Sequence, residues 1–180
     1  MKLTIAHTWD GAPLPPAEHA VVRLVAAPDG AALRLLVEAP FHGDPPPPSP
    51  PGPTPRLWEH EVVELFVAGP GTDAEVPYLE IELSPHGHHL VLRLAGVRRE
   101  VENGLPLDFR AFLDGRRWRG EATFPRAWLP PPPHRANAYR VHALGAGRRH
   151  LAATPVPGAA PDFHRPALFP AVKLPTGPGG

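Results

Sequence analysis

There is no cysteine in this sequence. A disulfide framework, a thiolate nucleophile and every zinc site built on sulfur are therefore excluded. Charge of one sign is not in excess either: Lys and Arg together number 18, and so do Asp and Glu. No long-range field gathers polyanions or an anionic membrane surface, so partners must be recognised locally. Neither nucleic acid nor a membrane is an expected partner. No stretch reaches the roughly 18 apolar residues of a membrane-crossing helix. The opening MKLTIAHTWDG has no long apolar run and no small-residue cleavage site, and it alternates like a strand. A soluble, cytoplasmic protein is the expectation.

Helical periodicity is missing too. No long window keeps a 3.6-residue apolar period, and FPRAWL (124–129) amounts to one turn before prolines stop it. No phosphate-cradling glycine loop joins a strand to a helix, and no Gly-x-Ser-x-Gly elbow presents a serine.

Proline is in excess: 29 Pro and 17 Gly bring the composition near that of disordered chains. The prolines cluster, however, chiefly in PFHGDPPPPSPPGPTP (40–55), PPPP (130–133) and PVPGAAP (155–161). Between the clusters the chain is strand-like. We expect one domain over 1–174, an extended or mobile Pro-rich loop at 40–56, and a disordered tail at 175–180.

Period-2 alternation recurs in KLTIAHTW (2–9), AVVRLVAA (20–27), ALRLLVEA (32–39), EVVELFV (61–67), YLEIELS (78–84) and HHLVLRLA (88–95). Turns centred on Asp29-Gly30, SPHGH (84–88) and Asp114-Gly115 join hairpins, and further strands fall near 137–145, 148–154 and 167–174. Nine or ten short antiparallel strands make an all-β sandwich of the jelly-roll kind, with a closed barrel as the alternative.

Alternation puts Leu79, Ile81 and Leu83 on one face of their strand and Tyr78, Glu80 and Glu82 on the other. In the next strand Leu90, Leu92 and Leu94 read as core, leaving His89, Val91 and Arg93 outward. The hairpin would then share an outer surface of tyrosine, carboxylates and guanidinium, which Glu64 extends if its strand pairs alongside. A solvated sheet face explains such residues. So does a sugar site, where a ring packs on a pyranose face and paired acceptors and donors fix its hydroxyls.

LWEHEVVELF (57–66), YLEIELSPHG (78–87), RANAYR (135–140) and PDFHRPALF (161–169) resemble, in order, the motifs of proteins related to family 9 carbohydrate-binding modules, within the DOMON-like superfamily. HTWDG, APFHGDPPPP, the same central block and PDFH look still more like an uncharacterised family of small intracellular proteins with vertebrate members. The likeness spans most of the chain. It implies a jelly-roll sandwich and non-catalytic binding of a saccharide or similar small polar ligand. In the sugar-binding modules a glycan end lies between two aromatic rings, with a carboxylate six residues after the first; Trp58 and Glu64 stand at that spacing. No motif places the second ring, for which Trp118, Trp128 and Tyr139 are candidates. The expected ligand-binding set is Trp58, Glu64, Tyr78, Glu80, Arg93, Arg98, Arg99, Asn137, Arg140 and His164.

Other constellations compete. His86, His88 and His89 offer imidazoles, but in a turn with no second ligand group at metal spacing. No metal or cofactor is assigned, although the resemblance allows a structural calcium held by oxygen ligands. Glu64, Glu80 and Glu82 could pair as glycosidase carboxylates, which keeps an enzyme as the second reading. Docking of a protein partner on the Pro-rich loop is the third. Arginine clusters at 97–100, 115–120 and 147–150 read as turn-edge solvation, with Arg98 or Arg99 able to reach a ligand at the sheet rim. Glu59 and Glu61 read as flanking surface charges. Phe163 is expected to plug the end of the sandwich, and His164 to bond a backbone carbonyl or to border the ligand.

Overall fold

The computed structural model describes residues 1–177. Among these the regular elements are strands and single 3-10 turns: β1 (Lys2–Ile5), β2 (His7–Thr8), β3 (Ala20–Ala26), β4 (Ala32–Pro40), β5 (Val62–Ala68), β6 (Pro77–Leu83), β7 (His89–Ala95), β8 (Glu100–Asn103), β9 (Asp108–Asp114), β10 (Arg117–Pro125), β11 (His134–His142), β12 (Arg149–Ala152) and β13 (Ala171–Val172). Of the tail expected to be disordered, 175–177 is irregular chain and 178–180 lies outside the described residues.

Two sheets form. One has the order β1-β3-β4-β10-β9, and the other β2-β12-β11-β5-β6-β7-β8, with β13 added beside β11. Every ladder between these strands is antiparallel, and both sheets end in edges, so the protein is a sandwich and not a closed barrel. Val22, Leu24, Leu33, Leu35 and Phe124 of the first sheet meet Val63, Leu65, Leu79, Ile81 and Ala138 of the second in one buried cluster. Trp118 lies in this core, 1% exposed, and its ring occupies the space a side chain at Gly120 would need: a Cβ there would stand 2.8 Å from Cζ3. Trp128 packs against the same cluster, stacked on Phe124 at 6.1 Å. Neither tryptophan can serve as the second ring of a clamp.

The larger sheet is buried on both faces. A second apolar cluster, including Leu57, Phe66, Tyr78, Leu92, Leu94, Tyr139 and Phe169, lies on its outer side under crossing chain. This changes the expected facing of β7. The ladder sets Tyr78 opposite Leu94, Glu80 opposite Leu92 and Glu82 opposite Leu90, so those leucines share the glutamate face. His89, Val91 and Arg93 instead share the inner face with Leu79, Ile81 and Leu83. Both faces of β7 are covered by other chain, so its leucine row does not mark the face toward the other sheet.

The Pro-rich segment is hydrogen-bonded to the rest of the fold at several points. Its start is held by Glu61, whose carboxylate accepts the His42 N–H at 3.0 Å and the Asp44 N–H at 3.4 Å. Glu61 is 2% exposed, which corrects its reading as a surface charge. Further along, His86 Nε2 meets the Asp44 carbonyl and His88 Nε2 the Ser49 carbonyl, each at 2.9 Å. These histidines satisfy carbonyls of a segment whose prolines offer no ladder donors.

Candidate functional site

Strand β5 reads VVELFVA, and every residue in it is buried. Its even-numbered side chains project to the outer face, where Glu64 stands opposite Tyr139 of β11 and opposite Glu82 of β6. Glu80 follows two residues earlier on β6. Three carboxyls thus occupy adjoining positions on two paired strands, each no more than 3% exposed. Glu64 Oε1, Glu80 Oε2 and both oxygens of Glu82 have no hydrogen-bond partner among the described residues.

Burial disfavours the ionised form of each, and like charges directly opposite one another add to that. Desolvation first, and then the neighbouring Glu80, holds Glu64 well above the usual carboxylate range. Desolvation, with the charges of Glu64 and Glu80, does the same to Glu82. Glu80 is pushed up to about 8, chiefly by desolvation.

A cavity of about 480 Å³ opens over this face. Glu64, Glu80, Leu92, Leu94 and Val141 form its floor, and Trp58, Arg148, His150, Arg98 and the segment 161–164 stand around it. The Trp58 wall is built locally. Arg56 takes a left-handed conformation (φ 59°) and starts a 3-10 turn, Leu57 drops into the outer apolar cluster, and Trp58 is left 40% exposed. Arg148 holds this turn, donating to the Glu59 carbonyl at 2.8 Å and to the Trp58 carbonyl.

The opposite wall comes from PDFH. Phe163 stacks on Tyr139 with ring centres 3.9 Å apart and planes 7° from parallel, so it covers the outer face of the sheet and does not plug the sandwich end. His164 bonds no carbonyl; its Nδ1 lies 2.9 Å from the Tyr78 hydroxyl, and its Nε2 lies 3.9 Å from Glu80 Oε2. Burial, followed by the Arg98 charge, lowers His164 to about 4, leaving a neutral imidazole near pH 7. Burial likewise raises Tyr78 to about 12.

Five of the ten expected residues, Trp58, Glu64, Glu80, Arg98 and His164, line this one cavity. Tyr78 supports it through His164. The other four lie elsewhere. Arg93 is on the inner face and pairs with Glu102 of β8. Arg99 donates to the Ala74 carbonyl at 3.0 Å, away from the cavity. Asn137, fully buried, spends its amide on the Tyr139 hydroxyl, the Thr154 backbone and the Ala138 N–H. Arg140 projects between the sheets and donates to the Glu18 carbonyl at 3.0 Å. Glu100, Arg148, His150, Asp162 and Phe163 also line the cavity. Of these, Asp162 and Phe163 carried a sequence signal, in the unusual string PDFHRP.

One group of potential metal ligands converges among the described residues: Glu18, His42 and His142, with ligand atoms within 4.8 Å of one another. The two imidazoles stack at 3.7 Å, and the Arg140 guanidinium abuts His42 Nε2 and lies 3.7 Å from Glu18. A fixed cation there competes with a metal ion, so we assign none to this group.

No family model matches the chain. It is 41% identical to the UPF0462 protein C4orf33 homolog of Danio rerio over an alignment 177 positions long that covers 94% of this chain and 87% of that protein. This chain belongs to the UPF0462 (C4orf33) family. The Mus musculus homolog is 40% identical, covering 94% of this chain and 89% of its own length. Among solved structures, a candidate carbohydrate-binding protein from Bacteroides uniformis aligns with TM-score 0.68 at 17% identity, over 94% of this chain and 84% of that one. It shares the fold of this UPF0462 chain. A family 9 carbohydrate-binding module from Caldicellulosiruptor kristjanssonii, in complex with glucose, aligns with TM-score 0.40 at 15% identity, over 74% of this chain and 65% of that one.

Proposed function

We propose that the cavity over the larger sheet binds a saccharide or a similar polyol without transforming it, in a cytoplasmic protein. One observation carries the reading: the exposed Trp58 ring and the buried, unpartnered Glu64 carboxyl border the same concave space. An indole offers an apolar plate for the C–H face of a pyranose, and a carboxyl without an internal partner offers hydrogen-bonding capacity to hydroxyls. Phe163 supplies the second ring that the sequence left unplaced. The Bacteroides protein, described as a candidate carbohydrate binder on the same fold, favours this class of ligand.

A glycan array probed with wild type and Trp58→Ala tests the reading. Retention of at least one saccharide by wild type, lost in the variant with its melting temperature kept, supports it. An array on which wild type retains nothing overturns it.

A second reading rests on Glu80. Burial pushes Glu80 up to about 8, and a carboxyl protonated near neutral pH beside a second one has the property that the acid of a glycosidase pair needs. Turnover of a nitrophenyl glycoside that disappears in both Glu64→Gln and Glu80→Gln would move the assignment to hydrolysis.

A further inference from the structure

The cavity asks for more than a neutral sugar. Its lining carries the carboxyls of Glu59, Glu64, Glu80, Glu100 and Asp162 against only two guanidiniums, those of Arg98 and Arg148. Both guanidiniums are committed. Arg98 donates to Asp162 at 2.8 Å, and Arg148 is spent on the carbonyls of Trp58 and Glu59. Glu59 has its own partner outside the lining, Arg56, and the exposed Glu100 accepts from the Asn103 amide at 2.6 Å. What remains is the floor, where Glu64 and Glu80 are 2% and 3% exposed, each with an oxygen that no donor reaches, and Glu82 is buried beside them. His164, 3.9 Å from Glu80, faces it as a neutral ring.

A hydroxyl needs one acceptor and tolerates a neutral site. Two buried carboxyls with unmet oxygens that neither guanidinium contacts match a group that brings several donors and a positive charge together, which is an ammonium; its binding would release the proton that burial keeps on the pair. The walls agree. Trp58 and Phe163 are aromatic faces at the same cavity, and an ammonium is attracted to such faces by their quadrupole.

Building on the saccharide reading, we propose that the ligand carries a protonated amine, as an amino sugar or amine-bearing polyol does, and that this amine sits on Glu64 and Glu80 between the rings of Trp58 and Phe163. The sugar ring then lies toward the mouth, where Trp58 is open to solvent. Acetylating the amine removes both its charge and two of its donors, so the site discriminates free amine from N-acetyl. Glu64 and Glu80 then determine specificity between amino and neutral sugars, while Trp58 serves both.

The test is calorimetric titration of the full chain with glucosamine, glucose and N-acetylglucosamine, each also as a short β-linked oligomer. The inference expects the amine forms to bind at least tenfold tighter than both neutral forms. Glu64→Gln and Glu80→Gln should each weaken the amine forms more than the neutral forms and so erase most of that preference. Gln keeps the shape and an acceptor, so a folded variant is expected, and its melting curve checks this. Equal affinity for glucosamine and glucose would overturn the inference and leave the saccharide reading standing. Binding of none of the sugars by wild type would overturn both.

Discussion

The Tyr78 hydroxyl and His164 Nδ1 lie 2.9 Å apart, although 86 residues separate them in the chain. The same hydroxyl accepts the backbone N–H of Arg98 at 2.9 Å, so its proton is free to go to Nδ1. The proton on the imidazole then belongs on Nε2, which faces Glu80. One phenol thereby fixes a wall of the cavity, the tautomer of its histidine and the left-handed turn at Arg98 (φ 56°).

Tyr78→Phe should therefore act on both fold and site. It strands the Arg98 N–H and frees the ring of His164, a loss of about 1–3 kcal/mol in chemical denaturation for a buried group left without its partner. Ligand affinity should fall with it, because the 161–164 wall loses its tie to β6. Unchanged stability would show that the hydroxyl is satisfied by water in solution.

The buried carboxyls set a pH dependence of stability. Burial pushes Glu80 up to about 8, from the ordinary 4.5 of a solvated carboxyl, so between these limits the native state binds more protons than the unfolded state. Stability from this group is complete below about 4.5 and is lost as pH rises through about 8. Glu64 and Glu82 shift in the same direction. His164 and His142 work oppositely: lowered to about 4 and about 3 from 6.5, they withdraw stability as pH falls below 6.5. Above about pH 7.5 the unfolded histidines are almost fully neutral and the carboxyls carry the slope, at most about 1.4 kcal/mol per pH unit for each proton. Denaturation midpoints should fall over that range, and Glu80→Gln should flatten the fall. A midpoint that rises over the range would contradict this assignment.

Glu61→Ala should release the Pro-rich segment. The backbone N–H groups of His42 and Asp44 lose their acceptor, at a cost of about 1–3 kcal/mol. Limited proteolysis near residues 45–55 should accelerate relative to wild type. Glu61→Gln, which keeps an acceptor oxygen, should stay close to wild-type resistance.

Much of this architecture was legible in the sequence, for identifiable reasons. Alternation in YLEIELS placed Glu80 and Glu82 on one face because leucine and isoleucine mark the other without ambiguity. HLVLRLA misled, because Leu90, Leu92 and Leu94 read as the only apolar face, while Val91 and Arg93 on the other pack inward and pair at the sheet edge. The resemblance paired Trp58 with Glu64, and both border one cavity, although Trp58 stands on a turn and Glu64 in a strand. Arg148 and Glu100 gave no signal. They reach the cavity only through pairing across the sheet, which no local pattern records. The buried state of Glu61 and Glu64 was likewise invisible, since a charged residue in a strand reads as solvent-facing until the second layer of chain is in place.

The central claim is that Trp58 and Glu64 act on one ligand from two sides of one cavity. A double-mutant cycle measures this directly: calorimetric affinity for the tightest saccharide on wild type, Trp58→Ala, Glu64→Gln and the double variant, with folding verified in each. We expect each single change to weaken binding at least tenfold, and the double variant to lose less than the combined effect of the two, leaving a coupling of about 0.5–3 kcal/mol. Losses that simply add, or a Glu64→Gln variant that binds as wild type does, would contradict the account.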